Sequence, residues 1–317
     1  MRLIRSLTNL KMLSRQVDSP LAEGCVATIG NFDGVHLGHQ TIIDQVKSKA
    51  RALNLPSVVM VFEPLPREFF QGMDAPPRLM GFRQKLETLL AAGIDIVLCL
   101  KFDENFRRYS AMGFIDDVLI DGLAVRHLVV GDDFRFGCDR AGDFALLERV
   151  GKTAGFSVEN TRTVTIAGER ISSTRIRNLL LDNQLEQAES LLGRPYCIRG
   201  RVVYGRQLGR RIGSPTANIL LRQMPALRGV YVVSVTLEDG STQDGIANIG
   251  LRPTVDGKQP ALEVNLFDFT GTLYGQHIDV VFCHGLRDEE KFESIDALKA
   301  QIARDFDAAR AWLAEHH

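Results

Sequence analysis

The sequence predicts an α/β domain with a parallel sheet, followed by an antiparallel β domain and a closing helix. Short apolar runs alternate with segments of helical periodicity in the first half, which is typical of strands joined by crossover helices. In the second half, runs rich in β-forming residues are separated by turn signals. The length of 317 residues agrees with two domains, because a domain usually has about 100–200 residues.

The first half contains four apolar runs, and we predict a strand at each. They are Val26–Ile29, Val58–Phe62, Ile96–Leu100 and Leu128–Val130. Helical spacing of apolar residues predicts helices near residues 40–53, 83–91 and 111–121. Because ligands of parallel sheets bind beyond the carboxyl ends of the strands, we expect the chemistry in the loops that follow these strands. Those loops are Gly30–His39, Glu63–Pro66 and Gly131–Gly137.

The periodicity changes near Leu192–Pro195, and we place the two domains at residues 1–186 and 187–317. Beyond the change, β-forming runs predict an antiparallel sheet or a small barrel. These runs are Ile198–Tyr204, Gly229–Leu237, Gly245–Ile249, Leu262–Phe267 and His277–Phe282. Apolar residues from Ile295 to Leu313 then recur at steps of three and four behind Ser294, which predicts an amphipathic closing helix.

The composition argues against nucleic-acid binding, membrane insertion and secretion. A formal net charge of −1 gives no general attraction for polyanions, so we expect no nucleic-acid partner. No apolar stretch approaches the roughly 20 residues that span a membrane, and the first residues lack the apolar core of a secretory signal. The five cysteines are scattered without a Cys-x-x-Cys pair, which indicates reduced thiols in a cytoplasm. The sequence predicts no particular oligomeric state.

The loop after the first predicted strand is the main candidate site. It reads Gly30-Asn31-Phe32-Asp33-Gly34-Val35-His36-Leu37-Gly38-His39-Gln40 and leads into a predicted helix. Such a junction collects backbone N–H groups and the positive end of a helix dipole, which suits phosphate. His36 and His39 could hydrogen-bond phosphate oxygens, and Gly38 permits close approach of a nucleotide. Two alternatives remain at this point: an ordinary surface turn, and a zinc pair.

Two further stretches could bind phosphate. The first stretch is either a helix cap with a solvated arginine or a set of phosphate ligands. It reads Ser172-Ser173-Thr174-Arg175-Ile176-Arg177. The second stretch is either a flexible basic hairpin or a loop that binds a triphosphate. It reads Gly205-Arg206-Gln207-Leu208-Gly209-Arg210-Arg211-Ile212-Gly213-Ser214-Pro215-Thr216-Ala217-Asn218. The hydroxyl of Thr216 and the amide oxygen of Asn218 are hard ligands that suit Mg²⁺.

The motifs of the first half resemble the FMN adenylyltransferase module of bacterial bifunctional riboflavin kinase/FAD synthetases. The resemblance rests on Gly30–Gln40, Phe62-Glu63-Pro64, Val130–Gly137 and Ser172–Arg177, in that order. It implies a Rossmann-like nucleotidyltransferase fold in which the phosphate of FMN attacks the α-phosphorus of ATP, releasing pyrophosphate and forming FAD. On this resemblance, His36 and His39 are catalytic. It implies that the phosphate or ATP ligands are Gly30, Asn31, Phe32, Gly38, Ser172, Ser173, Thr174 and Arg177, with Phe62 and Asp133 on the flavin.

The motifs of the second half resemble riboflavin kinases. The signature Pro215-Thr216-Ala217-Asn218 is followed by Gly229–Tyr231, Asn248–Gly250, Leu262–Asn265, Phe267–Phe269 and Leu286–Phe292. The resemblance implies a compact β-barrel in which Thr216 and Asn218 organise Mg·ATP. It also implies that Glu263 is the general base on riboflavin, that Gly205, Gly209 and Gly213 approach phosphate, and that Arg287 contacts flavin. By pattern alone, Glu263 would be an exposed charge on an alternating strand.

The expected function is therefore a bifunctional transferase with riboflavin, FMN, FAD and ATP as substrates and products, and with Mg²⁺. Ser214 and Leu65 depart from the family patterns and leave substrate affinities open. Rival hypotheses are a chain with one active half, a nucleotidyltransferase for another phosphorylated metabolite, and a flavin- or RNA-binding module with decayed catalysis. The local basic cluster favours RNA and consists of Arg199, Arg201, Arg206, Arg210 and Arg211.

Overall fold

A computed structural model describes residues 2–204, 216–221, 223–254 and 257–316. The chain divides into two compact units. The first unit consists of residues 1–76 and 82–171, and the second consists of residues 77–81 and 172–317.

The first unit is built on a parallel sheet, as the sequence predicts. Its described residues form six strands in the order β1-β4-β3-β2-β5-β6, and every neighbouring pair is parallel. The strands are β1 (Arg2–Arg5), β2 (Cys25–Ile29), β3 (Ser57–Glu63), β4 (Ile96–Lys101), β5 (Val125–Val130) and β6 (Ser157–Asn160). A short antiparallel pair, β7 (Thr165–Ile166) and β8 (Glu169–Arg170), follows.

The helices of the first unit connect these strands. They are α1 (Leu7–Ser14), α2 (Leu37–Leu53), α3 (Pro66–Gln71), α4 (Phe82–Ala91), α5 (Glu104–Arg107), α6 (Ala111–Phe114) and α7 (Phe144–Ala154). A π-helical turn, Ile115–Ile120, continues α6, and 3₁₀ turns lie at Gly72–Asp74 and Cys138–Arg140. All five residues of β2 are buried, as expected for a strand whose sheet is covered on both faces.

The strand order reverses beside β2, which places the candidate loop at the switch point of the sheet. The chain moves from β2 to β3 and β4 on one side, and then crosses to β5 on the other side of β2. Where the loops after two neighbouring strands lead in opposite directions, a crevice forms at the carboxyl ends of those strands. Ligands of such sheets bind in this crevice. The loops that follow β2 and β5 are therefore the ones that the topology favours for function.

The second unit contains a closed antiparallel barrel, which confirms the predicted fold class. The barrel order is β10-β13-β12-β11-β14-β9. Its strands are β9 (Cys197–Val203), β10 (Ala217–Leu220), β11 (Gly229–Thr236), β12 (Thr242–Thr254), β13 (Gly257–Leu266) and β14 (His277–Arg287). Helices α8 (Ser173–Leu181) and α9 (Leu185–Leu192) precede it, and α10 (Ile295–His316) follows.

The closing helix α10 covers one outer face of the barrel. Its residues Ala309 and Leu313 pack against Val230, Val232 and Ile246. This contact accounts for the later apolar residues that the sequence places at steps of three and four, whereas Ile295, the first of them, is exposed.

Candidate active sites

The loop between β2 and α2 is buried and locally strained. Asp33 and the side chains on either side of it have almost no exposed surface. Phe32 has φ 47° and Val35 has φ 37°, a left-handed conformation that a β-branched residue rarely adopts. Such strain persists only where surrounding contacts determine the conformation, and it is concentrated at functional sites.

The two histidines lie together at the start of α2. The backbone N–H of His39 donates to Nδ1 of His36 at 3.3 Å, so His36 caps the helix. A neutral His36 that accepts at Nδ1 carries its proton on Nε2, and that N–H can donate to a phosphate oxygen. The two rings stack with centroids 3.7 Å apart, and the ring of Phe32 lies 4.9 Å from that of His39.

His39 is held in its neutral form. Burial lowers its pKa well below the ordinary 6.5, and the positive charges of His36 and Lys85 lower the pKa further. The Nδ1 atom of His39 is buried, and no described residue hydrogen-bonds to it. A buried polar atom without a partner is costly, which is typical of a site that is completed by a ligand.

Two glycines of the loop, Gly30 and Gly38, are packed tightly against aromatic rings. A Cβ at Gly38 would lie 3.2 Å from the ring of His36, and a Cβ at Gly30 would lie 3.1 Å from that of Phe32. Both distances are too short for a comfortable side-chain contact. Glycine at these two positions therefore lets the histidine and the phenylalanine pack onto the loop backbone.

Phe62, at the end of β3, belongs to a cluster of aromatic rings. Its ring centroid lies 5.8 Å from that of Phe102 and 5.3 Å from that of Phe106. Phe69 and Phe70 of α3 extend the cluster through Phe102. Phe62 is half-buried, so it is both a core residue and a ring with accessible surface.

Asp133, in the loop after β5, is an exposed residue. Its carboxylate lies 3.6 Å from the guanidinium of Arg170, with a side chain that is 70% exposed. An ion pair this exposed contributes little to stability.

The Ser172–Arg177 segment begins α8, as its cap pattern predicts. The hydroxyl of Ser172 accepts from the backbone N–H of Arg175 at 3.2 Å. The Nε of Arg177 donates to the backbone carbonyl of Pro77 at 2.6 Å. Ser173 and Thr174 occupy the first turn of α8, where N–H groups of a helix start are directed outward.

In the second unit, three polar residues share one face of the barrel wall. Glu263 of β13 is directly opposite Asn218 of β10 on one side and Asn248 of β12 on the other. Directly opposite residues of antiparallel strands have neighbouring side chains on the same face. Asn218 is buried, whereas Glu263 and Asn248 are half-buried. The structure thus brings together two of the residues predicted from sequence, Asn218 and Glu263.

Thr216 immediately precedes β10, and its position fixes the amide of Asn218. The Nδ2 of Asn218 donates to the backbone carbonyl of Thr216 at 3.0 Å. With its nitrogen in that bond, the amide directs its oxygen the other way. The next row of the wall, Ile219, Leu262 and Ile249, is fully buried, as alternation along a strand requires.

Arg287, at the end of β14, forms a buried ion pair with α10. Its Nε and Nη2 donate to the carboxylate of Asp305 at 2.8–3.1 Å, and this raises the pKa of the guanidinium. The Nη1 of Arg287 donates to the carbonyl of Asp288 at 2.8 Å. Arg287 therefore joins the barrel to α10. This structural role is independent of the predicted contact between Arg287 and flavin.

Three predicted phosphate residues, Gly205, Gly209 and Gly213, lie outside the described residues, as does Ser214. Within the described ranges, no group of three or more His, Cys, Asp or Glu side chains is arranged to hold a metal ion. Arg199 of the basic cluster forms an ion pair with Asp279, which neutralises part of the charge on which an RNA-binding hypothesis depends.

The sequence by itself assigns no role to two residues of these sites, Lys85 and Asn248. Lys85 of α4 is 1% exposed, and its Nζ donates to the backbone carbonyl of Asn31 at 2.7 Å. A signal for Lys85 exists in the sequence, since it precedes the buried Leu89 by one helical turn and so lies on the apolar face. Asn248 belongs to a motif of the riboflavin kinase resemblance, but only strand pairing places it beside Glu263.

Two family models match this chain. A model described as FAD synthetase matches residues 18–175, and one described as riboflavin kinase matches residues 192–313. The bifunctional riboflavin kinase/FMN adenylyltransferase of Pseudomonas fluorescens is 51% identical over 313 residues, covering 98% of this chain and 97% of that protein. The protein of the same name from Haemophilus influenzae is 48% identical over 313 residues, covering 98% and 99%.

A solved structure, described as a macrolide-efflux protein from Streptococcus pneumoniae, has the same fold. Its TM-score is 0.75 at 32% identity, and the match covers 91% of this chain and 95% of that chain. In the part of the present chain that the structure describes, no helix is both long enough and apolar enough to cross a membrane.

Proposed function

We propose roles for the residues of the two sites from one premise: the chain belongs to the family of bifunctional riboflavin kinase/FMN adenylyltransferases. It is a transferase that phosphorylates riboflavin to FMN in its C-terminal part and adenylylates FMN to FAD in its N-terminal part. Riboflavin, FMN and ATP are its substrates. Residues 1–186 and 187–317 are the two proposed functional domains. The compact units differ from them, since residues 77–81 and 172–186 belong to the second unit.

For adenylyl transfer, His36 and His39 are the proposed catalytic residues. The stacked imidazoles at the start of α2 are the observation that supports this role. The attacking FMN phosphate is already anionic, so this step needs positioning and charge stabilisation rather than a base. The two imidazoles donate hydrogen bonds to the α-phosphate as charge develops there, together with the dipole of α2. Gly30, Asn31, Phe32 and Gly38 shape the surface on which the nucleotide lies.

Phe62 and Asp133 are the proposed flavin contacts of the same domain. The half-buried ring of Phe62 belongs to an aromatic cluster, which suits stacking against a planar isoalloxazine. Asp133 follows β5, next to the switch point of the sheet. Ser172, Ser173, Thr174 and Arg177 keep the phosphate-binding role that sequence resemblance predicts for them.

For the kinase reaction, Glu263 is the proposed general base. A neutral alcohol attacks the γ-phosphorus more readily as it loses its proton, so a carboxylate beside the 5′-hydroxyl of riboflavin accelerates the step. The half-buried position of Glu263 between Asn218 and Asn248 supports this assignment, since amides beside a carboxylate orient it. Arg287 is proposed to contact flavin, and Gly205, Gly209 and Gly213 to approach phosphate.

Magnesium is proposed to enter with ATP. The hydroxyl of Thr216 and the oriented amide oxygen of Asn218 have the hard-donor chemistry that Mg²⁺ prefers, and Mg²⁺ takes few protein ligands when phosphates are present. The ion would neutralise charge on the transferred phosphoryl group. We also propose a cytoplasmic location, supported by the odd number and wide spacing of the cysteines.

The test is chromatography of flavins after the full chain is incubated with riboflavin and Mg·ATP. We expect FMN to appear first and FAD to follow. A second incubation that starts from FMN should yield FAD and pyrophosphate without a lag. Failure to form FMN from riboflavin, or FAD from FMN, would remove the corresponding activity from the proposal.

A further inference from the structure

A lysine buried beneath the nucleotide loop is not explained by the mechanism above. Lys85 is 1% exposed and is one of the largest fully buried side chains in the described residues. Burying an ammonium is costly unless its hydrogen bonds are made inside the protein. Other positions on this face of α4, such as Leu89, carry apolar side chains. The charge at residue 85 therefore needs a reason beyond packing.

The contact of Lys85 points to the loop. Its Nζ donates to the backbone carbonyl of Asn31 at 2.7 Å, the distance of a strong charge-assisted hydrogen bond. Asn31 directly precedes Phe32, the first of the three loop residues with positive φ. Fixing the carbonyl of Asn31 fixes the orientation of the peptide that leads into the strained segment.

Lys85 also acts on the catalytic imidazole through its charge. The groups whose positive charge opposes protonation of His39 are His36, from the loop, and Lys85, from α4. A buried ammonium in this place has two effects. It keeps His39 neutral, and it adds to the positive potential that an ATP triphosphate meets.

We infer that Lys85 is a positioning residue for adenylyl transfer. From beneath, it holds the loop in its nucleotide-binding shape through the Asn31 carbonyl, and it supplies a buried positive charge beside the histidine pair. The inference rests on the proposed FMN adenylyltransferase activity of this domain. It differs from the roles of His36 and His39 because Lys85 acts through the loop and through its charge.

The experiment compares Lys85→Met and Lys85→Arg in the full chain. Methionine has nearly the same shape but neither charge nor donor, whereas arginine keeps both. For Lys85→Met we expect kcat/KM for Mg·ATP in FAD formation to fall about 10- to 100-fold, as misplacement of a reacting group does. Conversion of riboflavin to FMN, measured on the same sample, should be unchanged. Lys85→Arg should retain more of the FAD-forming activity.

Two controls separate positioning from general stability. Lys47→Met removes an ammonium from α2, the helix that carries His39, but this half-buried lysine pairs with the exposed carboxylate of Asp44. Both activities should remain at the level of the unmodified chain. The imidazole of His39 is also titrated by NMR in the unmodified chain and in each variant. Loss of the neighbouring charge should raise the pKa of His39 in Lys85→Met and leave it unchanged in Lys85→Arg.

Unchanged FAD formation in Lys85→Met would overturn the inference, and so would equal losses of both activities with an unaltered His39 titration. If Lys85→Met does not fold, Lys85→Arg decides: FAD formation and a His39 titration close to those of the unmodified chain support the inference, and their loss in a folded protein refutes it. If the unmodified chain forms no FAD, the proposed function fails, while the His39 titration still tests the role of Lys85.

Discussion

The two sites of this chain use different structural means for two kinds of phosphate chemistry. In the first unit, the site is a buried, strained loop at the switch point of a parallel sheet, with imidazoles at a helix start. In the barrel, polar side chains stand in a row across regular strands, with Glu263 between two amides. An anionic nucleophile requires a shaped, electropositive surface, whereas a neutral alcohol requires a carboxylate that takes its proton.

Replacing Glu263 with Gln should give the largest effect and should separate the two sites. Glutamine keeps the shape but cannot accept the proton, so we expect FMN formation to fall about 10²- to 10⁴-fold. FMN-to-FAD conversion should remain, because Glu263 is not among the residues proposed for that step. Initial rates from riboflavin and from FMN, measured on the same preparation, give both values. Equal losses from both substrates would show that the sites are not independent.

Replacing His39 with Asn should have the opposite pattern. Asparagine is shorter and lacks the stacked ring, so its amide N–H does not reach the place of the imidazole donor. FAD formation should therefore fall about 10²-fold, the lower range for loss of one donor to a developing charge. Riboflavin kinase activity is the internal control and should not change. A variant with normal FAD formation would remove His39 from the catalytic role and leave only its packing against His36 and Phe32.

The stability of the chain should depend on pH through His39. The pKa of His39 is lowered from 6.5 in the folded state, so the unfolded chain binds this proton more readily. The stabilising contribution is therefore complete above about pH 6.5 and is lost as the pH falls towards the folded pKa, by at most about 1.4 kcal/mol per pH unit. Thermal unfolding of the unmodified chain and of His39→Asn from pH 7.5 to 5.5 measures it. Parallel curves would contradict the prediction.

Replacing Ser172 with Ala should produce the smallest effect, and it tests whether the cap hydroxyl also serves a ligand. Loss of the bond from the Arg175 N–H should destabilise α8 by about 1 kcal/mol. A cap without a ligand role would leave KM for ATP unchanged in FAD formation. Thermal unfolding together with the KM distinguishes the two: a raised KM would support the predicted phosphate contact, and an unchanged KM would assign Ser172 to capping alone.

Several elements follow directly from local pattern. The apolar run of β2 and the helical spacing of α2 are strong enough that the structure extends each only by a few residues, to Cys25–Ile29 and Leu37–Leu53. Strand β1 and helices α1 and α7 were not predicted. β1 is flanked by arginines and has a single buried residue, Ile4, so its identity as a strand depends on pairing with β4. A short stretch of sequence does not show whether a strand pairs with a distant one.

By itself, the sequence determined which segments alternate, where the glycine-rich loop meets a helix, and which residues carry phosphate chemistry. Only the tertiary structure decided that Glu263 lies between Asn218 and Asn248, that Arg287 pairs with Asp305, and that Lys85 lies beneath Asn31. The physical reason is the distance along the chain between the residues that interact. Periodicity and caps are local properties of neighbouring residues, whereas strand register and buried ion pairs join residues that are distant along the chain.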